Sequence, residues 1–109
     1  MKKDVIIIKT TVVNKYQASY DVYIGRGSKW GNPYSMKNKS DKERNKVCDL
    51  YEEYFWVTNL CYDVKELRGK TLGCFCKPKR CHGDFLADLA NMDQEELDEL
   101  IYSKKKEGE

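Results

Sequence analysis

No apolar run among the 109 residues approaches the roughly 20 needed to cross a bilayer. Met1, Lys2, Lys3 and Asp4 lead into β-type residues rather than the apolar core of a signal peptide, so a cytoplasmic location is expected and a membrane partner is not. The chain also lacks the basic excess of a nucleic-acid coat. Its formal net charge is +2, with 35% charged and 40% hydrophobic residues, and extended nucleic acid is not an expected partner. Internal repeats, linkers and low-complexity segments are absent, and the length allows one domain with a core large enough to fold alone. Neither Gly-X-X-X-X-Gly-Lys nor Gly-X-Gly-X-X-Gly occurs, which removes the common phosphate loops. Cysteine numbers five, an odd count that in a chain expected to be cytoplasmic favours reduced thiols over a disulfide framework.

Histidine is scarcer still. The single one, His82, lies in a nine-residue stretch with Cys74, Cys76 and Cys81, three of the five cysteines. That stretch reads as a strand, a proline-containing cationic turn and a helix start, the layout with which α/β proteins hold ligands at strand ends. Cys48 and Cys61 instead fall inside an apolar helical pattern and are expected as compact buried hydrophobes.

Val5 to Val13 is almost wholly β-branched and predicts strand one; Tyr20 to Ile24 predicts strand two, stopped by Gly25 and Gly27. From Asp41 as N-cap, Val47, Tyr51, Tyr54, Phe55 and Thr58 follow helical spacing and predict the main helix to about Asn59. Asp63 to Gly69 predicts a short helical turn, Lys70 to Cys76 strand three, and Arg80 to Asn91 a second helix. Asp93 with Glu96 forms a plausible capping box for a last helix over Gln94 to Tyr102, followed by a frayed charged tail. The expected fold is a small α/β domain over residues 1–109, with three or more strands in a mixed or parallel sheet and flanking helices. Its core spans 5–91, an extra C-terminal helix covers 92–103, and the tail covers 104–109.

A second informative segment runs from Ile24 to Tyr34, with three glycines, two cations and two aromatics in eleven residues. Glycines allow close backbone approach, and consecutive N–H groups form an anion nest. Arg26 suits bidentate capture of a phosphate or carboxylate. Trp30 or Tyr34 offers a flat surface for a base, and Asn32 the paired donor and acceptor that base edges require. Alternatively the glycines make a turn, Trp30 fills the core, and Asn32 with Pro33 caps the next segment.

Gly25, Arg26, Trp30, Gly31, Asn32 and Pro33, followed after a helix by Cys74, Cys76, Pro78, Cys81 and His82, make the chain resemble the family called domain of unknown function 4326. The resemblance covers about residues 5–91; it implies a compact α/β domain with these two motifs as its site, of a kind often encoded by phages and bacteria. It implies no biochemical function.

Three chemistries remain open at the second motif. Cys74, Cys76, Cys81 and His82 are candidate zinc ligands, although Cys-X-Cys followed by Cys-His is unlike the usual paired knuckles. Cys81 or His82 is a candidate catalytic group, because a helix N-terminus beside Lys77, Lys79 and Arg80 favours a thiolate, with Asp84 or Asp21 available as a carboxylate. Or Cys74 and Cys76 are simply small residues of a central strand, with His82 a capping group.

If both motifs end parallel strands, one pocket collects Gly25, Arg26, Gly27, Trp30 and Asn32 from the first, and Lys79, Arg80, Cys81, His82 and Gly83 from the second. That set suits a phosphorylated nucleoside or an ADP-ribose-like compound, with the anion on Arg26 and the Arg80 to Gly83 helix start. Sequestration of a nucleotide signal is the first expectation. An enzyme cleaving or transferring at a glycosidic or phosphate bond is the second, and a zinc-stapled interaction module the third. The tyrosine-rich stretch Tyr51 to Tyr62 carries more aromatic surface than one small core needs, so a homo-oligomer is expected.

Overall fold

Three short strands form an all-parallel sheet in the computed structural model, which describes residues 9–107. The strands are β1 (Thr11–Asn14), β2 (Val22–Tyr23) and β3 (Thr71–Cys74), in the order β1-β3-β2. Thr11 aligns with Thr71 and Asn14 with Cys74, while Val22 aligns with Leu72 on the other side. A central parallel strand is covered on both faces and therefore reads as apolar and small. Accordingly Leu72, Gly73 and Cys74 are buried.

Residues 5–8 of the anticipated first strand lie outside the described residues. The second strand is shorter than Tyr20 to Ile24, because side-chain bonding replaces part of its ladder. Asp21 donates its N–H to the Thr71 carbonyl at 2.8 Å, and its carboxylate accepts the Thr71 N–H at 2.8 Å.

Helix α1 (Asp41–Val57) starts at its expected cap, and the cap itself lies one residue earlier. Ser40, not Asp41, is the N-cap: its hydroxyl accepts the Glu43 N–H at 3.2 Å. Asn59, with φ 67°, breaks the helical course in the left-handed region that asparagine tolerates. Two 3₁₀ turns, Leu60–Tyr62 and Val64–Leu67, lead to β3. After β3 come α2 (His82–Ala90) and α3 (Gln94–Glu107). The last helix thus continues through residues expected to fray. Lys105 is anchored by donating to the Trp56 carbonyl at 2.6 Å, near the C-terminal end of α1, where a cation also meets the negative pole of that helix. No helix among the described residues is long and apolar enough to cross a membrane.

Helix α2 lies on the sheet and α1 packs against α2 and α3. Between them Ile24, Tyr51, Phe55, Val64, Leu72 and Leu86 are wholly buried. Much of the aromatic surface of α1 is consumed here: Phe55 meets Trp56 and Phe85 edge-to-face, each at 5.0 Å.

The loop between β2 and α1 is folded tightly on itself. Gly27 has φ +91°, a conformation costly for other residues. Gly31 approaches the backbone of Gly25 so closely that a Cβ would lie 2.5 Å from the Gly25 carbonyl oxygen. Because the obstacle is backbone, Gly31→Ala is expected to destabilise the domain by about 1–3 kcal/mol, the usual cost of overpacking. Urea unfolding checks this, and unchanged stability would contradict the close approach.

Candidate functional site

Parallel pairing of β2 and β3 delivers both motifs to the same edge of the sheet. Their loops enclose a cavity of about 150 Å³ bordered by Gly25, Arg26, Asn32 and Tyr34 on one side and by Cys74, Phe75, Cys76, Cys81 and His82 on the other. Arg44, Val47 and Cys48 of α1 close it, with Arg80 at its rim. No aspartate or glutamate lines it among the described residues.

The cysteine turn is pinned to β1, since the Asn14 amide donates to the Lys77 carbonyl at 2.9 Å. Cys81 is the N-cap of α2: its sulfur accepts the Gly83 N–H at 3.3 Å while its own N–H donates to the Asp84 carboxylate at 3.3 Å. Asp84 also pairs with Lys77. The start of α2 therefore satisfies its own donors. This corrects the expectation that Cys81, His82 and Gly83 present a helix terminus to an anion.

Of the residues anticipated to bind ligand, Gly25, Arg26, Asn32, Arg80, Cys81 and His82 do border the cavity. Gly27, Trp30, Lys79 and Gly83 do not. Trp30 is 3% exposed and belongs to the core, so it offers no stacking surface; its carbonyl accepts the buried Tyr51 hydroxyl at 2.8 Å. Gly83 is packed where a Cβ would lie 2.6 Å from Ile24 Cδ1. Asn32 spends its amide internally, donating to the Val47 carbonyl at 3.0 Å and accepting the Tyr34 N–H at 2.9 Å. Arg80 is neutralised by Asp49 at 3.0 Å and Glu52 at 3.2 Å, both on the exposed face of α1.

His82 is a structural tie. Its Nε2 donates to the Ile24 carbonyl at 2.7 Å, which leaves Nδ1 facing Cys81 Sγ at 3.8 Å. Burial holds the imidazole below its ordinary pKa, in the neutral form. Nε2 is thus committed, Nδ1 is packed against the Cys81 sulfur, and Asp21 and Asp84 are committed elsewhere. A general acid or base at His82 would have to break the link between β2 and α2.

The cavity thiols are unequal. Cys81, deeply buried against the Cys74 and Cys76 sulfurs, offers its one S–H to either and keeps its proton, its pKa pushed far up. As recipients of that bond, Cys74 and Cys76 are both drawn down to about 6. Their mutual repulsion in a buried setting means that the pair shares one negative charge near neutral pH. Cys76 is the better placed to carry it, being half-buried where Cys74 is 1% exposed, and lying beside the Arg44 guanidinium. The activated thiol is therefore Cys76, not Cys81. Cys48, by contrast, is raised by burial.

The four anticipated zinc ligands do not form a metal site. Among the described residues no group of three or more histidine, cysteine, aspartate or glutamate side chains is arranged to hold a metal ion. The His82 ring is turned to the Ile24 carbonyl, and the Cys81 sulfur caps α2. All five cysteines are free.

Arg44 was not apparent from the motifs. Its Nε is buried with no nitrogen or oxygen partner among the described residues. The signal available for it is helical spacing: Arg44, Val47, Cys48 and Tyr51 share one face of α1, so a cation sits on an otherwise inward stripe.

A parallel three-stranded sheet with helices about it, and a cavity at the carboxyl ends of its strands, makes this an α/β domain of the kind that places ligands at strand ends. The chain belongs to the family described as domain of unknown function (DUF4326), whose pattern it matches over residues 8–92. It is 40% identical over 85 residues to an uncharacterized 12.4 kDa protein in the nrdA-td intergenic region of Enterobacteria phage T4, covering 73% of this chain and 76% of that one. Uncharacterized protein R718 of Acanthamoeba polyphaga mimivirus is 39% identical over 87 residues, 63% of this chain and 65% of its own length. No solved structure gives a significant match.

Proposed function

We propose that this domain binds a phosphorylated nucleoside-type small molecule in the cavity at the carboxyl ends of β2 and β3. The observation that carries this reading is the charge of the lining: Arg26 and Arg44 border a cavity that contains no carboxylate, neither is ion-paired to a carboxylate among the described residues, and the single thiolate charge shared by Cys74 and Cys76 leaves the lining net positive. Leaving a guanidinium nitrogen buried without a partner costs free energy that an anionic ligand would recover. Tyr34, half exposed at the rim, takes over from Trp30 as the flat surface for the base.

Holding the ligand is favoured over transforming it, because the His82 ring is buried and tied through Nε2 to the Ile24 carbonyl, and no carboxylate faces the cavity among the described residues. Phage and giant-virus relatives make sequestration of a host nucleotide signal the role we favour. An enzyme of nucleotide metabolism is the second reading, supported by the activated Cys76 thiol.

Isothermal titration with 5′-mononucleotides and the matching nucleosides tests the binding. Nucleotides are expected to bind and nucleosides to bind at least tenfold more weakly. Arg26→Ala and Arg44→Gln should each weaken nucleotide binding about tenfold or more while the domain stays folded, the scale of a charge-assisted hydrogen bond. Equal affinity for nucleoside and nucleotide would overturn the anion site. Mass analysis of ligand released by denaturation then separates the two readings: an intact ligand supports sequestration, and a chemically altered one supports catalysis.

A further inference from the structure

Ordinary small-molecule sites occupy roughly 300–1,000 Å³. The cavity here, at about 150 Å³, accommodates one ring system or one phosphate group and its linkage, not a whole nucleotide. The base of a mononucleotide then lies at the Tyr34 rim, and a second unit would extend onto the surface beyond Phe75. That surface has a definite character.

Phe75 forms part of the cavity wall and is 46% exposed on its outer side. Beyond it the Tyr16 ring lies 5.5 Å away, tilted at 53°, and the Tyr23 ring stands edge-on at 5.9 Å. Tyr16 is 75% exposed. The shelf is held in place by backbone: Lys15 donates its N–H to the Cys74 carbonyl at 2.8 Å, and the Asn14 side chain accepts the Tyr16 N–H at 2.9 Å. The Lys15 ammonium lies 4.8–5.3 Å from the centroids of all three rings. Arg26 sits at the seam, bordering the cavity while its carbonyl accepts the Tyr23 hydroxyl at 3.4 Å.

We infer that the Tyr16, Tyr23 and Phe75 shelf is a second planar-group subsite, and that the ligand carries two nucleoside units joined through phosphate. This rests on the nucleotide reading above and adds its substrate class. One base lies against Tyr34 at the cavity rim, the joining phosphate enters the cavity on Arg26 and Arg44, and the second base lies on the shelf beside Lys15. Charge complementarity selects this occupant over an apolar partner: the Lys15 ammonium sits among the three rings, Arg26 borders the adjoining cavity, and neither is ion-paired among the described residues.

The test is titration of the intact chain with dinucleoside monophosphates of the four bases, the corresponding 5′-mononucleotides, and a single-stranded hexanucleotide. A dinucleotide is expected to bind at least about fivefold more tightly than its mononucleotide, the lower range of stacking one base on an aromatic ring. Tyr16→Ala, remote from the cavity lining, should abolish that gain and leave mononucleotide affinity unchanged. Should mononucleotides bind while dinucleotides gain nothing, or should Tyr16→Ala spare the gain, the shelf assignment is overturned and the nucleotide reading stands. Failure of every nucleotide to bind overturns both. A hexanucleotide binding a further tenfold more tightly would overturn the two-unit ligand in favour of a strand-binding track.

Discussion

Trp30→Ala is expected to destabilise the domain by about 3–5 kcal/mol, the cost of emptying a large aromatic site in a core. Against the roughly 5–15 kcal/mol that holds a small domain folded, that loss leaves it close to unfolding. The ring is 3% exposed in the same cluster as Tyr51, Phe55 and Leu60. Its position also sets the loop, because the Trp30 carbonyl receives the Tyr51 hydroxyl from α1. Trp30→Phe should retain most of the stability and all of the ligand binding. Urea denaturation followed by titration distinguishes the roles: lost affinity with unchanged stability would return Trp30 to the ligand.

Cys76 is expected to alkylate first among the five cysteines, with a pH midpoint about 6 where an ordinary thiol would have one near 8.5. The sign follows from the depressed pKa. Thiolate, and with it the labelling rate, is fully present well above pH 6 and falls as the pH drops through it. The rate at neutral pH will exceed that of a free thiol only modestly, since nucleophilicity declines with pKa; the midpoint is therefore the quantity to measure. Iodoacetamide labelling read by peptide mass spectrometry gives it residue by residue. Arg44→Gln should raise the midpoint by removing the neighbouring cation, and Cys81→Ala should raise it by removing the donated hydrogen bond. A midpoint unmoved from that of a free cysteine would contradict the shared charge. Nucleotide in the cavity should slow the labelling, which links this measurement to the proposed ligand site.

Elements with a strong local signature were legible without coordinates. The helical spacing from Val47 to Phe55 corresponds to the buried stripe of α1, and Leu72 to Cys74 does form a buried strand. The two motifs also meet, as their places at strand ends implied, and Arg26 and Asn32 border the cavity. Local chemistry accounts for these, because hydrophobic periodicity and glycine-terminated strands express interactions between residues near one another in the chain.

The roles of individual side chains in the cavity needed the tertiary structure. Arg80 carries a cation wherever the chain places it, but Asp49 and Glu52, some thirty residues earlier, approach it only once α1 docks beside the turn. Cys81 was rightly placed at a helix start, yet the sulfurs of Cys74 and Cys76 and its burial raise its pKa, outweighing the Gly83 N–H at the cap, which lowers it. Trp30 moved from ligand to core because aromatic character serves both, and only packing against α1 decides which. Arg44 entered the site by the same docking, from outside both motifs. By itself the sequence determined the kinds of elements and the edge at which function gathers, since those follow from short-range propensity and pattern. Which cations remain unpaired, which thiol is activated and which aromatic rings face solvent were decided by contacts across tens of residues, whose energies depend on burial and distance rather than on residue type.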